Sequence, residues 1–268
     1  MRAPNATIVS RPSDMWNGDP IYLMQNLILK DFRVRYRNMS LGVLWSLLNP
    51  LAMMAVLTFV FVHVFANSSI KHFPVFVLCG LVPFNFFSLA WSNGTTSIID
   101  NADLIKRVPV PREIIPIASV LSNGVHLLIQ IGLLLTCVLV SGIGINRNWL
   151  WLPVVWGLEV VFVCGMALAF SAVNVYIRDT RYIVESANLV LFWLVPIFYS
   201  FERIPPQYRE FYQYNPVAAL VLSLRNILLD ASPPVTATLL KLAGVSFGMF
   251  IAGWIVFRKM RDTFFEHI

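Results

Sequence analysis

The stretch LWLPVVWGLEVVFVCGMALAFSAVNVY, residues 150–176, carries a single charged side chain, Glu159, and decides the fold. A bilayer's hydrocarbon core is about 30 Å thick and takes about 20 helical residues to cross, so this run is long enough. Its apolar residues are continuous, without the alternation that a barrel strand needs. With no water in lipid to satisfy the backbone, such a run closes its own hydrogen bonds only as a helix. Working outward, similar runs occur at about 41–66, 74–98, 114–141, 183–200 and 237–257. The pattern predicts an all-α integral membrane protein of six transmembrane helices.

Composition points the same way. The 268 residues are 57% hydrophobic and 13% charged, with mean hydropathy +0.70, where a soluble domain carries about 25% charge. Residues 1–20 are polar and Pro-rich with no apolar core, so the reading expects no cleaved signal and lets the first span direct insertion. An even number of spans puts both termini on one side. That side then holds fourteen Lys and Arg residues and the other side six, which places the termini in the cytoplasm. Topology and anionic inner-leaflet lipid account for the net charge of +6, leaving no call for nucleic acid. Residues 1–40 form a cytoplasmic N-terminal segment and 41–268 one six-span domain.

Three polar segments interrupt the apolar runs. IYLMQNLILKDFRVRYR (21–37) sets Ile21, Met24, Ile28 and Phe32 on one helical face and Tyr22, Asn26, Lys30, Arg33 and Arg37 on another. Two readings stand: an interfacial anchor, or a mobile gate beside a pathway. IDNADLIKRVPVPREIIP (99–116) is too polar for lipid. It predicts a short helix over Asn101–Arg107 that ends in an extended link at Pro109 and Pro111, either a docking element or a solvated loop. Between the last two runs, Pro216–Leu229 is too short to span and suits a re-entrant or interfacial hairpin on the outer side. The preceding Tyr208, Phe211, Tyr212 and Tyr214 read as interface-belt aromatics or as a rim for a sugar-bearing ligand.

The chain contains no GxxxxGK[ST] or GxGxxG loop, no HExxH, no nucleophile elbow and no CxxC. No catalytic residue, bound nucleotide or metal is therefore expected in it. His63, His72, His126 and His267 are scattered, and Cys79, Cys137 and Cys164 read as small buried hydrophobes. Glu159, with Gln130 and Asn188 as neutral companions, reads either as one member of a proton path or as a structural acid. Aromatics near bends, such as Trp45 before Asn49-Pro50 and Trp193 before Pro196, suit the lining of a wide passage for a sliding carbohydrate chain.

Five motifs go further: RVRYRNMSLGVLWSLLNPL (33–51), LVPFNFFSLA (81–90), NADLIKRVPVPREIIPIASVLSN (101–123), YIRDTRYI (176–183) and QYNPVAALVLSLRNILL (213–229). Together, in order and over nearly the whole chain, they resemble the permease subunit of ABC type-2 exporters for cell-surface polysaccharides such as O-antigen, teichoic acid and capsule. The resemblance implies a homodimer in the bacterial plasma membrane, bound to two separate ATPase subunits that hold ATP and Mg, passing an undecaprenyl-linked glycan outward.

By the same resemblance, 21–37 is the gate helix (Tyr22, Asn26, Lys30, Arg33, Arg37). Asn101, Asp103, Leu104, Lys106 and Arg107 couple to the ATPase, with Arg178, Asp179 and Arg181 as a second contact. Trp45, Phe86, Trp91, Asn188, Trp193 and Tyr199 face the glycan, and Tyr208, Tyr212, Tyr214, Asn215 and Arg225 belong to an outer gate built from residues 201–230. An exporter of a drug or lipid with the same architecture, or a proton-coupled transporter using Glu159, is the alternative.

Overall fold

A computed structural model describes residues 19–37, 40, 42–65, 70–108 and 110–266. The N-terminal eighteen residues, the ends of the first predicted span at 41 and 66, Pro109, His267 and the Phe211 side chain lie outside the described residues. Among those described, every regular element is a helix and there is no strand. Five helical stretches are long and apolar enough to cross a membrane: Gly42–Val64, Phe73–Arg107, Ile114–Val140, Arg147–Tyr176 and Thr236–Met260.

Local chemistry explains most of the helix ends. α1 (Pro20–Tyr36) starts where the Asp19 carboxylate accepts the Ile21 amide at 2.8 Å and Pro20 fills the first turn. α2 (Trp45–Thr58) contains Pro50 and passes into a π-helical turn at Phe59–Val64. α3 (Phe73–Asp100) runs back and stops at Asn101, whose amide donates to the Ser97 carbonyl at 2.9 Å. α4 (Ala102–Arg107) follows at once and ends where Val108 turns extended ahead of the prolines. α5 (Ile114–Val140) and α6 (Leu152–Tyr176) complete the central bundle. α3 packs on both of them and also receives α2, α7 (Thr180–Leu194) and α9 (Pro216–Leu228). α8 (Pro206–Tyr214) precedes α9, and α10 (Thr236–Met260) closes against α6.

One predicted element differs. The run at 183–200 was expected to be a full span, yet α7 ends at Leu194 and is 15 residues long. At 1.5 Å per residue that is about 22 Å of helix, short of the hydrocarbon thickness. Pro196 is the cause: it removes a backbone donor and holds Val195 at φ −72°, ψ 135°. Around it Val195, Ile197 and Phe198 are buried as non-helical chain, and the Tyr199 hydroxyl donates to the Leu194 carbonyl at 2.7 Å, capping the broken helix.

Close approach holds the bundle together, as expected where lipid supplies no hydrophobic drive between helices. α6 and α10 touch backbone to backbone at Gly165 and Gly253. A Cβ at Gly165 would lie 2.6 Å from Met249 and Phe250 main-chain atoms. Gly94 similarly admits Ala167, and Gly80 admits Ile197 from the broken segment. α10 buries Thr238, Leu242, Ser246, Gly253 and Phe257 while exposing Leu240, Phe247, Ile251 and Ile255. The small and polar Thr238, Ser246 and Gly253 thus face the protein together with Leu242 and Phe257, and the outward face is large and apolar.

Candidate functional site

The C-terminal ends of α3, α6 and α10 converge with the start of α5 and with α1 and α4. This end displays the cationic residues of both α1 and α4, and those of the Arg178–Arg181 turn. Here α1 rests on α5 in a definite register. Leu27 shares an apolar cluster with Ile115 and Ala118, whereas Tyr36 reaches His126, its hydroxyl 2.5 Å from Nδ1. Nine residues on α1 thus track eleven on α5, so α1 runs along α5 rather than across it. Its buried side is centred on Leu27, while Ile21, placed on the apolar face by spacing alone, is 60% exposed.

That packing leaves two adjoining clefts bounded by α1, α2, α3 and α5. The deeper one, about 420 Å³, is lined by Tyr36, Trp45, Ser46, Asn49, Asn85, Phe86, Ser88, Ser92, Asn123, His126 and Gln130. The shallower one, about 430 Å³, is lined by Lys30, Asp31, Arg35, Asn93, Ser97, Asp100, Asn101, Ser119 and Asn123. Arg35 and Asn123 belong to both, so the two form one polar track leading inward from the cationic end. Gln130 donates to the Ser46 carbonyl at 3.1 Å and Asn93 to the Asn123 carbonyl oxygen at 3.1 Å, which ties α2, α3 and α5 across it. At the mouth Lys30 bonds Asn101 at 2.6 Å. Burial pushes the Asp31 carboxyl up against the pull of Lys30 and Arg35, and burial also lowers Arg35. Amides, hydroxyls and a balanced set of charges line a track with one aromatic wall. Such a surface can exchange hydrogen bonds with a polyhydroxylated ligand without demanding one register.

The residues singled out in the sequence fall into distinct places. Trp45 (51% exposed) and Phe86 line the deeper cleft, and Asn188 sits behind it, donating to Ser92 Oγ at 3.1 Å. Trp91 does not line it. It is buried against Phe87 and Phe170, because its position on α3 faces α6. Trp193 and Tyr199 lie at the opposite end, packed on Phe198, which also stacks on Phe61 of the π-helical turn at 5.0 Å. On α1, Tyr22, Asn26, Lys30, Arg33 and Arg37 are all exposed. In α4, Ile105 is buried while Asp103, Lys106 and Arg107 point outward and Leu104 is half-buried. Arg178, Asp179 and Arg181 are exposed too. Arg181 pairs with Glu185 at 2.9 Å and feels the carboxylate of Asp100, which leads into α4.

At the far end, Tyr208 and Tyr214 are exposed and Tyr212 is half-buried. Asn215 is the N-cap of α9, accepting the Val217 amide at 3.1 Å. Arg225 is 5% exposed, stacks on Phe76 and donates to the Ile197 carbonyl at 2.7 Å and the Phe76 carbonyl at 3.3 Å, clamping α9 to α3 and the broken segment. Glu159 is buried in α6 and its Oε2 has no partner among the described residues.

Sequence reasoning missed Asp31, Arg35, Tyr36, Asn49, Asn85, Asn123 and His126. Amides and a histidine recurring inside otherwise apolar runs were the available signal, but nothing in the spacing said that those of α2, α3 and α5 face one another.

Residues 22–229 match the model of a family described as ABC-2 type transporter. The O-antigen export system permease protein RfbA of Klebsiella pneumoniae is 31% identical over 91% of this chain and 95% of its own length. The protein of that name from Myxococcus xanthus is 28% identical over 92% and 95%. The polysialic acid transport protein KpsM of Escherichia coli is 27% identical over 74% and 78%. A multi-pass helical membrane protein with a polar track among its spans, matched by that family over most of its length, belongs to the ABC-2 type transporters.

Proposed function

We propose that this chain is the membrane subunit of an ATP-driven exporter carrying a lipid-linked surface polysaccharide, of the O-antigen, teichoic acid or capsule kind, from the cytoplasm to the outer face of a bacterial plasma membrane. The observation that carries the reading is the amide- and hydroxyl-lined cleft against Trp45 and Phe86. Sugar hydroxyls exchange hydrogen bonds with such groups, and rings offer flat faces that hold a sugar weakly. The similarity to O-antigen and polysialic acid transport proteins supports the cargo class.

In this reading the chain crosses six times with both termini in the cytoplasm. The fifth crossing combines α7 with the extended segment after Pro196, and α8 and α9 form a re-entrant hairpin at the outer face. A cleft of about 420 Å³ in one copy is half of a conduit, completed by a second copy in a homodimer. α1 is an amphipathic gate over the track, which admits the undecaprenyl-linked end of the glycan from the inner leaflet. ATP and Mg belong to two separate ATPase subunits that dock on α4 and on the Arg178–Arg181 turn. Closure of those subunits on nucleotide pushes α4, tilts the two halves and lets the polymer advance.

The test is Lys106→Glu combined with Arg107→Glu, two exposed cations that leave the buried Ile105 anchor in place. ATPase recovered with the tagged permease is expected to fall about tenfold with membrane levels unchanged. Unchanged recovery together with unchanged surface glycan would refute the docking role. Cells lacking the chain should hold finished polymer on its lipid carrier inside, and persistence of surface polymer would refute the export role.

A further inference from the structure

A six-residue helix that receives a push needs rigid backing, because helices that short are marginal by themselves. α4 is held by one fully engaged side chain, Ile105, 3% exposed. Ile105 does not enter the main core of the bundle. It enters a separate apolar cluster at the cationic end, with Ile98 of α3, Leu168 of α6, Leu27 of α1, Phe257 of α10 and Phe264. Phe264 is the unexpected member. It follows the end of α10, in the 3₁₀ turn Arg261–Glu266, and is completely buried.

Polar contacts explain how that turn is held at this end of the bundle. Arg261 pairs with Glu113, and the Arg112 guanidinium donates to the Arg261 carbonyl while lying 5.9 Å from the Phe264 ring. Tyr176, the last residue of α6, donates to the Met260 carbonyl at 2.7 Å and meets Phe264 edge-on at 6.1 Å. Phe257 meets the same ring edge-on at 5.5 Å. Arg112 and Glu113 are the residues that immediately follow the proline link of α4. The link is therefore clasped at its far end to the same turn whose aromatic ring shares the apolar cluster that anchors α4 through Ile105.

Building on the assignment of α4 as the ATPase docking helix, we propose that the C-terminal turn Arg261–Glu266 is a buttress that transmits the stroke from α4 to α6 and α10, with Arg261, Glu113 and Phe264 as its positioning residues. Without it α4 still presents Asp103, Lys106 and Arg107 to the ATPase, but yields when pushed. Docking and transport then come apart.

The experiment uses the assembled permease and ATPase in membranes and compares Arg261→Glu, Phe264→Ala and the charge swap Glu113→Arg with Arg261→Glu. Three readouts are taken: ATPase co-purified, ATP hydrolysed, and glycan delivered to the surface per permease. Arg261→Glu and Phe264→Ala should keep ATPase binding and hydrolysis within about twofold while export falls about tenfold, the size of effect a coupling element carries. The swap should restore at least half of the export. Wild-type export in both single variants overturns the buttress, as does failure of the swap. Loss of ATPase binding in either single variant also overturns it, reducing the turn to part of the docking surface. The Lys106→Glu and Arg107→Glu variant run alongside separates the two claims: if it retains the ATPase, the docking assignment of α4 fails, whatever the clasp variants do.

Discussion

Replacing Gly165 by alanine tests the packing logic of the bundle most directly. The new Cβ would stand 2.6 Å from the Met249 carbonyl group and from Phe250 Cα, all backbone atoms that cannot rotate away, where ordinary contact begins at 3.4 Å. α10 must therefore back off from α6 by about 0.8 Å along the seam, a gap that forfeits a quarter to a half of the dispersion well of each contact it opens. Over-packing of this kind costs about 1–3 kcal/mol, and a backbone-to-backbone clash belongs at about 3 kcal/mol. For a chain of this size each kcal/mol lowers the midpoint by about 2–4 °C, so a drop of about 6–12 °C is expected. A thiol-reactive fluorophore added during heating in detergent reads this once the partly exposed Cys137 is replaced by serine, since Cys79 and Cys164 are buried and Cys164 adjoins the substitution. Gly157→Ala is the control on the same helix: no atom lies within 4 Å of its Cβ, and relief of the glycine penalty should leave the midpoint equal or raised by about 0.5–1 kcal/mol of stability. If Gly165→Ala melts with the wild type, or if both alanines lower the midpoint alike, close approach is not what joins α6 to α10.

Three further outcomes follow from particular contacts. Glu159→Gln should retain export within about twofold and melt no earlier than wild type, because Oε2 has no partner to lose and a neutral amide is cheaper to bury; abolished transport would instead mark Glu159 as part of a proton path. Tyr36→Phe removes the hydroxyl that meets His126 and should loosen α1 by about 1 kcal/mol. Faster labelling of a cysteine placed at Leu27 reads that change, and an unchanged rate would show that α1 is held elsewhere. Arg225→Lys keeps the charge but loses the planar stack on Phe76 and one of two carbonyl contacts, so it should cost about 2 kcal/mol; proteolysis in the 201–214 segment should accelerate, and an unaltered digestion pattern would argue that the clamp is dispensable.

Much of this was legible in the chain itself. Runs of aliphatic and aromatic residues named the lipid-crossing helices to within a few residues, except where Pro196 broke α7 six residues before the predicted end of its run. The prolines after Arg107 also marked the end of α4. The motifs around Asn101–Arg107 and Asn215 carried the family. What spacing could not supply was partnership between helices. Trp91 and Trp45 look alike in sequence, yet α3 turns the first into the core against Phe170 while the second lines the cleft. Ile21 fits the apolar face of α1 and is exposed, whereas Leu27 is the residue that docks. Asn215 caps α9 and Arg225 clamps it to the broken segment, contacts that their spacing in the chain did not show. Which helices enter lipid is decided by the transfer energy of each segment, a property of local composition. Which polar side chains meet across a cleft depends on register and rotation between helices, set by contacts such as Gly165 on Gly253 that lie far apart in sequence, and so only the folded chain decides it.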